Sequence, residues 1–303
     1  MGFRHIPVLV DEVISLLRCE PHQIHVDATL GGGGHALEIL RRTAPDGIVI
    51  GIEWDEDALS EARNALKPFE DRTKIFRENF VSLPDILNSL KIKRVDGILL
   101  DVGLSSIQLE EKDRGFSLKS EGPLDMRMDQ RTEVSAADLV NQLSEADLAE
   151  TIYYYGEERW SRRIAKAIVE ERRRGSIETT QALRKIVCQS IPRRFHFRRI
   201  DPATKTFQAL RIRVNNELEN LRQVLESGWT FLREGGRLCV ISFHSLEDRI
   251  VKETFRKLAK EGEGSSLGGV LRIVTKRPIT PSEEERMRNP RCRSAKLRCA
   301  ERM

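Results

Sequence analysis

Ile24-His-Val-Asp-Ala-Thr-Leu-Gly-Gly-Gly-Gly-His-Ala36 is the stretch that decides the fold of this 303-residue chain. A short β-branched run ends at Asp27, four consecutive glycines begin at Gly31, and a helical pattern runs from Ala36 to Arg42. A strand, a glycine turn and a helix in this order form the nucleotide-binding crevice of an open α/β sheet. The glycines permit positive φ angles and let a ligand approach backbone atoms that a Cβ would shield.

The glycine turn is compatible with two cofactors, NAD and S-adenosylmethionine. Gly31, Gly33 and Ala36 satisfy the dinucleotide fingerprint G-x-G-x-x-A. A second buried strand, Gly47–Glu53, ends in an acid at the spacing where a carboxylate meets ribose hydroxyls, which suits either cofactor. Asp27 discriminates between them, because a carboxylate beside the turn repels a pyrophosphate and attracts the sulfonium and ammonium groups of S-adenosylmethionine. The sequence therefore favours the methyl donor.

Composition allows a full hydrophobic core with room for one large domain and a sizeable insertion. Hydrophobic residues make up 39% of the chain and charged residues 32%, which is above the usual quarter. The formal net charge of +4 is too small to indicate a nucleic-acid partner by itself. The distribution of charge along the chain is therefore more informative than its sum.

The five cysteines are scattered, without a C-x-x-C pair and without a histidine spaced to complete a zinc site. We therefore expect reduced thiols and no metal site. No apolar run reaches the length of a membrane span, and the N-terminus lacks the apolar segment of a signal peptide. The expectation is a soluble cytoplasmic protein that has no membrane partner.

Buried strands alternate with amphipathic helices in the first hundred residues. That alternation predicts a parallel, doubly wound sheet. The strands are expected at Ile24–Asp27, Gly47–Glu53, Lys74–Arg77 and Gly97–Leu100, and the helices at Val8–Leu17, Ala36–Arg42, Ala58–Leu66 and Leu83–Leu90.

The alternation stops after Gln108, and residues 110–205 show helical patterns with almost no strand-like runs. A long amphipathic helix follows, from Thr206 to about Leu225, and after it comes a strand that ends at Ser242. Two later runs, Val270–Lys276 and Ala295–Ala300, are expected to pair as a terminal antiparallel hairpin. We predict one Rossmann-like α/β domain, formed by residues 1–109 and 206–303 around a mostly parallel sheet. An all-helical subdomain, residues 110–205, interrupts it.

Asp101 follows the buried strand Gly97–Leu100 and precedes a Gly/Ser turn, at the sheet edge where open α/β folds bind ligands. Enzymes that methylate an exocyclic amine often place a hydrogen-bond acceptor here, because the amine lone pair is delocalised into the ring and must be freed for attack. In those enzymes Pro-Pro and an aromatic residue follow the acceptor, and they are absent here. The sequence leaves two roles open for Asp101, a chemical one and a cofactor-holding one.

Two further residues follow strands and admit two interpretations each. Phe80 lies just beyond the third strand, where an aromatic ring stacks on adenine or simply packs in the core. His244 follows the strand that ends at Ser242 and is either a contact to the target base or a helix-entry residue. In the second case Ser245 is the N-cap and Asp248 completes a capping box, and this structural interpretation is slightly favoured.

The run Pro192-Arg-Arg-Phe-His-Phe-Arg-Arg199 places four arginines around two phenylalanines and a histidine. Such a composition suits phosphate contacts combined with base stacking. A run of basic residues usually lies on a solvated helix face, where nearby acidic residues balance its charge. In this run no acidic residue occurs before Asp201. It is therefore a candidate contact to nucleic acid.

Motifs along essentially the whole chain resemble those of the bacterial 16S rRNA cytosine-N4 methyltransferases (the RsmH/MraW family). Gly122–Asp129 is especially telling, because it is too long and irregular to be dictated by the fold alone. The other matching stretches are His5–Val13, Gly33–His35, Asp96–Asp101, Arg114–Ser117, Tyr155–Glu158, Thr204–Gln208, Ser242–Arg249 and Asn289–Ser294.

The resemblance implies a class I methyltransferase that transfers a methyl group from S-adenosylmethionine to N4 of a cytidine in the decoding region of 16S rRNA. It favours adenine stacking for Phe80 and a place in the cofactor pocket for Asp101, and we expect Asp101 to be the catalytic residue as well. It also implies the helical insertion as the substrate-recognition domain and the 16S rRNA or small ribosomal subunit as the partner. It leaves open whether the protein is a monomer or a homodimer. By position, the family's cofactor contacts fall on Gly33, Gly34, His35, Glu53, Phe80, Asp101 and Gln108.

Three positions depart from the family pattern. The acid after the second strand is usually Asp and is Glu53 here, with a longer reach toward a ribose. Ile107 replaces a proline in Ser105-Ser-Ile-Gln108, which removes a fixed φ before Gln108. Gly32 stands where a charged or polar residue is common. None of these changes removes a group that the chemistry needs.

Overall fold

The computed structural model describes residues 7–105, 108–109, 111–196, 200–260 and 269–303. The chain divides into two compact units, Met1–Ser105 with Leu218–Met303, and Ser106–Glu217. Within the described ranges, no helix combines the length and the apolar character that crossing a membrane requires.

A mostly parallel sheet forms the centre of the first unit. Its strands in the described residues are β1 (Ile24–Asp27), β2 (Ile48–Ile52), β3 (Thr73–Phe76), β4 (Val95–Asp101), β5 (Leu232–Ser242), β6 (Leu271–Ile273) and β7 (Lys296–Arg302). The spatial order is β3-β2-β1-β4-β5-β7-β6, with β7 antiparallel to both of its neighbours and the other pairs parallel. The predicted α/β class, the doubly wound sheet and the antiparallel terminal pair are confirmed.

Chain order reverses at β1, which pairs with β2 on one side and β4 on the other. Asp27, its last residue, lies opposite Gly51 of β2 and Leu99 of β4. A reversal of this kind opens a crevice outside the carboxyl ends of the strands, because the connections on either side leave in opposite directions. The last residues of β1, β2 and β4 therefore border one crevice.

In the described residues the α-helices are α1 (Val10–Leu17), α2 (Gly34–Arg42), α3 (Glu56–Leu66), α4 (Leu83–Ser89), α5 (Ala136–Gln142), α6 (Glu145–Gly156), α7 (Ser161–Arg172), α8 (Thr180–Ser190), α9 (Thr204–Asn215), α10 (Glu217–Gly228), α11 (Ser245–Lys260) and α12 (Glu283–Arg288).

In the first unit α1 and α2 bury apolar residues such as Leu17, Ile39 and Leu40 in a core shared with β4 and β5. α3 begins two residues before its predicted start, because the Asp55 carboxylate accepts hydrogen bonds from the first-turn amides of Asp57 and Ala58.

The second unit is built from α5 to α9. Ser135, Ser144 and Thr179 act as N-caps of α5, α6 and α8, each accepting a hydrogen bond from an amide in the first helical turn. In its described residues the regular elements are helices, and the single β-bridge joins Pro123 to Thr179.

The helix expected from Thr206 to Leu225 is in fact two helices, so this prediction was wrong. Asn216 separates α9 from α10 with a φ of 51°, a left-handed conformation that asparagine tolerates. The side chain of Asn215 is tied to the second unit, accepting from the Met128 amide and donating to the Met126 carbonyl. The second unit consequently extends to Glu217, twelve residues beyond the expected limit at 205.

Candidate active site at the carboxyl ends of the strands

The glycine turn between β1 and α2 leaves no room for side chains. Gly33, the N-cap of α2, has a φ of 84°, and a Cβ there would lie 3.4 Å from the Ala62 backbone. A Cβ on Gly34 would come within 3.0 Å of the Pro7 ring. The two predicted glycines therefore keep the start of α2 close to its neighbours and leave its amide edge bare.

Glu53, just past the end of β2, braces this turn. One carboxylate oxygen accepts from the Gly31 amide at 2.8 Å and the other accepts from the Asp55 amide at 2.9 Å. Burial raises the pKa of Glu53 to about 7 despite these hydrogen bonds. The residue predicted to contact a ribose thus also fixes the position of the glycine turn.

Asp27 and Asp101 stand at the ends of adjacent strands, β1 and β4, with Thr29 between them. The Asp101 amide donates to Thr29 Oγ1 at 2.5 Å, and the Thr29 amide donates to Asp27 Oδ1 at 3.4 Å. Asp27 Oδ2 and Asp101 Oδ1 are buried and have no hydrogen-bond partner among the described residues. Such orphaned acceptors are costly unless a ligand or a proton satisfies them.

The pKa values of both carboxyls are raised. Burial raises the pKa of Asp27 to about 7. Burial also raises the pKa of Asp101 to about 8, and the nearby charges of Asp27 and Glu247 add to the effect. The side chain of Asp101 nevertheless keeps 17% of its surface exposed, so the group is accessible from the crevice. A buried acid with a strongly shifted pKa in a crevice is typical of a functional site.

His35, the second residue of α2, contacts Asp101. Its Nε2 lies 2.9 Å from the Val8 carbonyl, which can only accept, so Nε2 carries a proton. Its Nδ1 lies 3.6 Å from Asp101 Oδ2. The ring is 5% exposed and therefore serves mainly to connect α2 to the end of β4.

Phe80 begins a short 3-10 turn after β3 and is half-buried beside Trp54. The two ring centroids are 6.2 Å apart, at an interplanar angle of 46°. Sequence reasoning missed Trp54, although its position directly after Glu53 placed it at the same sheet edge. The pair supplies aromatic surface beside the acid of β2.

Gln108, the remaining predicted cofactor contact, belongs to the second unit and is 3% exposed. Its neighbour Ile107, the departure from the family pattern, lies outside the described residues. The other predicted residues all belong to the first unit.

The capping scheme expected after β5 was wrong in detail. α11 begins at Ser245, so His244 is its N-cap, and His244 Nδ1 accepts from the Glu247 amide at 3.3 Å. In return the Glu247 carboxylate accepts from the Phe243 amide at 2.7 Å and the His244 amide at 3.2 Å, so His244 is the helix-entry residue that the sequence slightly favoured. Asp248 instead forms an ion pair with Arg298 at 2.7 Å. Glu247 is 2% exposed and contributes to the raised pKa of Asp101, a role that no sequence pattern indicated.

The edge described above suits a cationic ligand with hydrogen-bond donors. Asp27, Asp101 and Glu247 are acceptors when ionised, and two of them present orphaned oxygens. A pyrophosphate would be repelled by this arrangement, whereas an ammonium and a sulfonium would relieve it. The residues present therefore fit S-adenosylmethionine.

Comparison with known proteins agrees with this fit. Over 311 aligned residues the chain is 50% identical to the Ribosomal RNA small subunit methyltransferase H of Geobacter sulfurreducens, with all of both chains covered. The protein of the same name from Syntrophobacter fumaroxidans is 45% identical, covering 99% of this chain and 97% of that one. The one from Clostridioides difficile is 44% identical, again with all of both chains covered. Residues 2–303 match the MraW methylase family, and the chain belongs to that family as an S-adenosylmethionine-dependent methyltransferase.

Proposed function

We propose that this protein methylates the exocyclic N4 of a cytidine in the decoding region of 16S rRNA. The observation that carries the proposal is the Asp101 carboxyl, an accessible acceptor at the end of β4 with one orphaned oxygen. Full-length relatives that are 44–50% identical carry the name of a small-subunit ribosomal RNA methyltransferase, which supports the substrate class.

The donor would be held by the residues around the glycine turn. The bare amide edge at Gly33 and Gly34, the Glu53 carboxylate and the Phe80 ring would contact it, and Gln108 joins them by family position. When bound, S-adenosylmethionine supplies an electrophilic methyl group on a sulfonium. Asp27 favours a cation here, since its carboxyl has an orphaned oxygen close to the start of α2.

Asp101 would act on the cytosine amine. The N4 lone pair is delocalised into the pyrimidine ring, so the nitrogen is a poor nucleophile until its N–H groups are bound by an acceptor. An acceptor fixed at the strand end holds the amine in the attacking orientation, and such positioning supplies a large part of the rate in displacement reactions. The backbone of Asp101 is held by the hydrogen bond from its amide to the Thr29 hydroxyl, and its carboxyl lies 3.6 Å from the His35 ring.

The same pair of groups accommodates the proton that the amine must lose. Because His35 Nε2 donates to Val8, its Nδ1 in the neutral ring is an acceptor facing Asp101 Oδ2. In its ionised form Asp101 would take up the N4 proton and become neutral, and His35 Nδ1 would face the protonated carboxyl as an acceptor.

The target base must leave its helical stack to reach a crevice of this kind, as in other enzymes that modify bases. The second unit, Ser106–Glu217, is the part of the chain that we assign to recognition of the surrounding rRNA. Exposed arginines of this unit, among them Arg159, Arg193 and Arg194, supply the basic surface that such a role requires.

Tritium transfer from labelled S-adenosylmethionine into small ribosomal subunits tests the proposal directly. The subunits come from cells that lack this protein, and the product is identified after digestion to nucleosides. N4-methylated cytidine is the expected product. Asp101→Asn should lower transfer at least a hundredfold, whereas Asp85→Asn, an exposed acid on α4, should not. Methyl transfer to a different atom, or none to subunits or free rRNA, would refute the assignment.

A further inference from the structure

Arginine and aromatic side chains from two parts of the second unit form a stack, here termed the arginine–aromatic cluster (Arg159, Trp160, Arg194 and Phe195). The Trp160 and Phe195 ring centroids are 5.3 Å apart. The Arg159 guanidinium lies 4.2 Å from the Phe195 centroid and 5.1 Å from that of Trp160, and Arg194 lies 4.9 Å from Phe195. Trp160 directly precedes α7, whereas Phe195 closes the 3-10 turn Arg193–Phe195, so the cluster is a product of the fold.

A basic groove adjoins the cluster. It has a volume of about 530 Å³, and its lining includes Arg184, Lys185, Arg193 and His196. Arg193 and His196 bracket the two members of the cluster that lie in the 3-10 turn, so the groove and the cluster share that turn. The His196 ring is held in place because its Nε2 donates to the Ile191 carbonyl at 2.9 Å.

Three of the arginines of this surface are not neutralised by acids in the described part of the chain. Arg159, Arg193 and Arg194 are exposed, and none forms an ion pair with a residue in the described part of the chain. Arg184 differs, since it pairs with Asp201 at 2.7 Å. A guanidinium that stacks on an aromatic ring keeps its N–H edge available, and that edge matches the geometry of a phosphate.

The half-buried rings of Trp160 and Phe195, together with unpaired guanidinium groups, suit one kind of partner. A single-stranded nucleic acid presents phosphates and unstacked bases side by side, whereas a duplex hides its base faces. We propose that this surface binds an unstacked segment of the RNA substrate, with phosphates along Arg193 and Lys185 and a base against Phe195. The inference rests on the proposed rRNA substrate and assigns a surface to it.

Binding of a fluorescently labelled twelve-nucleotide oligouridylate, measured by anisotropy across a salt series, tests the surface. Combined Lys185→Ala and Arg193→Ala substitutions should weaken binding about tenfold or more and reduce the slope of log K against log salt by about 1.4, since each of the two lost phosphate contacts contributes roughly 0.7. Phe195→Leu should weaken binding roughly tenfold without changing the slope, because it removes stacking and no charge. The control combines Arg173→Ala and Arg174→Ala, exposed arginines that follow the last turn of α7.

Equal weakening by the two double variants would show that only net charge matters and would overturn the inference. Unchanged binding by Phe195→Leu, or no binding by the parent protein, would overturn it as well. Affinity for S-adenosylmethionine should stay at the parent value in every variant, which separates a lost surface from a lost fold. If the unsubstituted protein methylates rRNA and the variants bind RNA as well as it does, the RNA-binding surface is refuted and the proposed function is not. If the unsubstituted protein binds RNA through this surface but does not methylate cytidine, the proposed function is refuted and the surface is not.

Discussion

Asp101→Asn is expected to stabilise the ligand-free protein, and to do so increasingly as the pH rises. The substitution keeps the shape of the side chain and removes a charge that burial, Asp27 and Glu247 all disfavour. The new amide can also donate to His35 Nδ1, which lies 3.6 Å from the present carboxyl oxygen. A residue retained for chemistry at the expense of stability should behave in this way.

The magnitude follows from the two pKa values of Asp101. The pKa rises from 3.8 to about 8 on folding, so the folded state binds the proton more tightly than the unfolded state does. Below pH 4 both states are protonated and the carboxyl costs nothing. Between pH 4 and 8 the parent loses about 1.4 kcal/mol of stability per pH unit at this group, and above pH 8 the cost levels off at about 6 kcal/mol. Relaxation around the charge makes this an upper value.

Urea unfolding of the parent and the variant at pH 5, 7 and 9 measures the effect. The free energy of unfolding of Asp101→Asn should exceed that of the parent by several kcal/mol at pH 9 and by much less at pH 5. Asp85→Asn, which alters an exposed carboxyl, should show a small difference that does not vary with pH. A difference for Asp101→Asn that is equal at pH 5 and pH 9 would refute the reasoning about its burial.

Two further predictions concern the donor site. Gly33→Ala forces an alanine to a φ of 84° against α3 and should cost about 1–2 kcal/mol in unfolding free energy and weaken S-adenosylmethionine binding measured by calorimetry. Gly175→Ala, at a position with open space and no positive φ, should leave both values unchanged, and equal losses in the two variants would contradict the conformational argument. Phe80→Leu should raise the KM for S-adenosylmethionine roughly tenfold with little change in kcat, because the ring contributes stacking and no chemistry. A fall in kcat at unchanged KM, in steady-state methyl-transfer assays, would argue against adenine stacking.

The sheet was predictable because its strands obey local rules. β2 and β4 are short runs of mostly buried β-branched and aliphatic residues between turn signals, and a parallel sheet requires such runs. The glycine turn and the acids that end the strands follow from the same rules, since loops after β1, β2 and β4 must meet at one edge. From the sequence alone, these features therefore predict that Asp27, Glu53 and Asp101 border the crevice.

Other features depend on contacts between distant residues and were missed. The break at Asn216 interrupts an apolar pattern that continues on both sides, so periodicity alone reads one helix there. The capping box joins His244 and Glu247 rather than Ser245 and Asp248 because α11 begins one residue earlier than expected, and Asp248 pairs instead with Arg298, fifty residues later. Likewise, the contact between His35 and Asp101 depends on the Val8 carbonyl that orients the ring. No local pattern encodes these choices.

Because their pKa values are raised, the carboxyls of Asp27, Glu53 and Asp101 are largely or partly protonated near neutral pH in the ligand-free protein. A cation that enters the crevice restores the ionised form of these carboxyls, so binding is in effect an ion exchange in which protons leave as the cation arrives. The heat of binding then includes the ionisation heat of whichever buffer collects those protons. Affinity for the cation rises with pH through the same range in which the free protein loses stability.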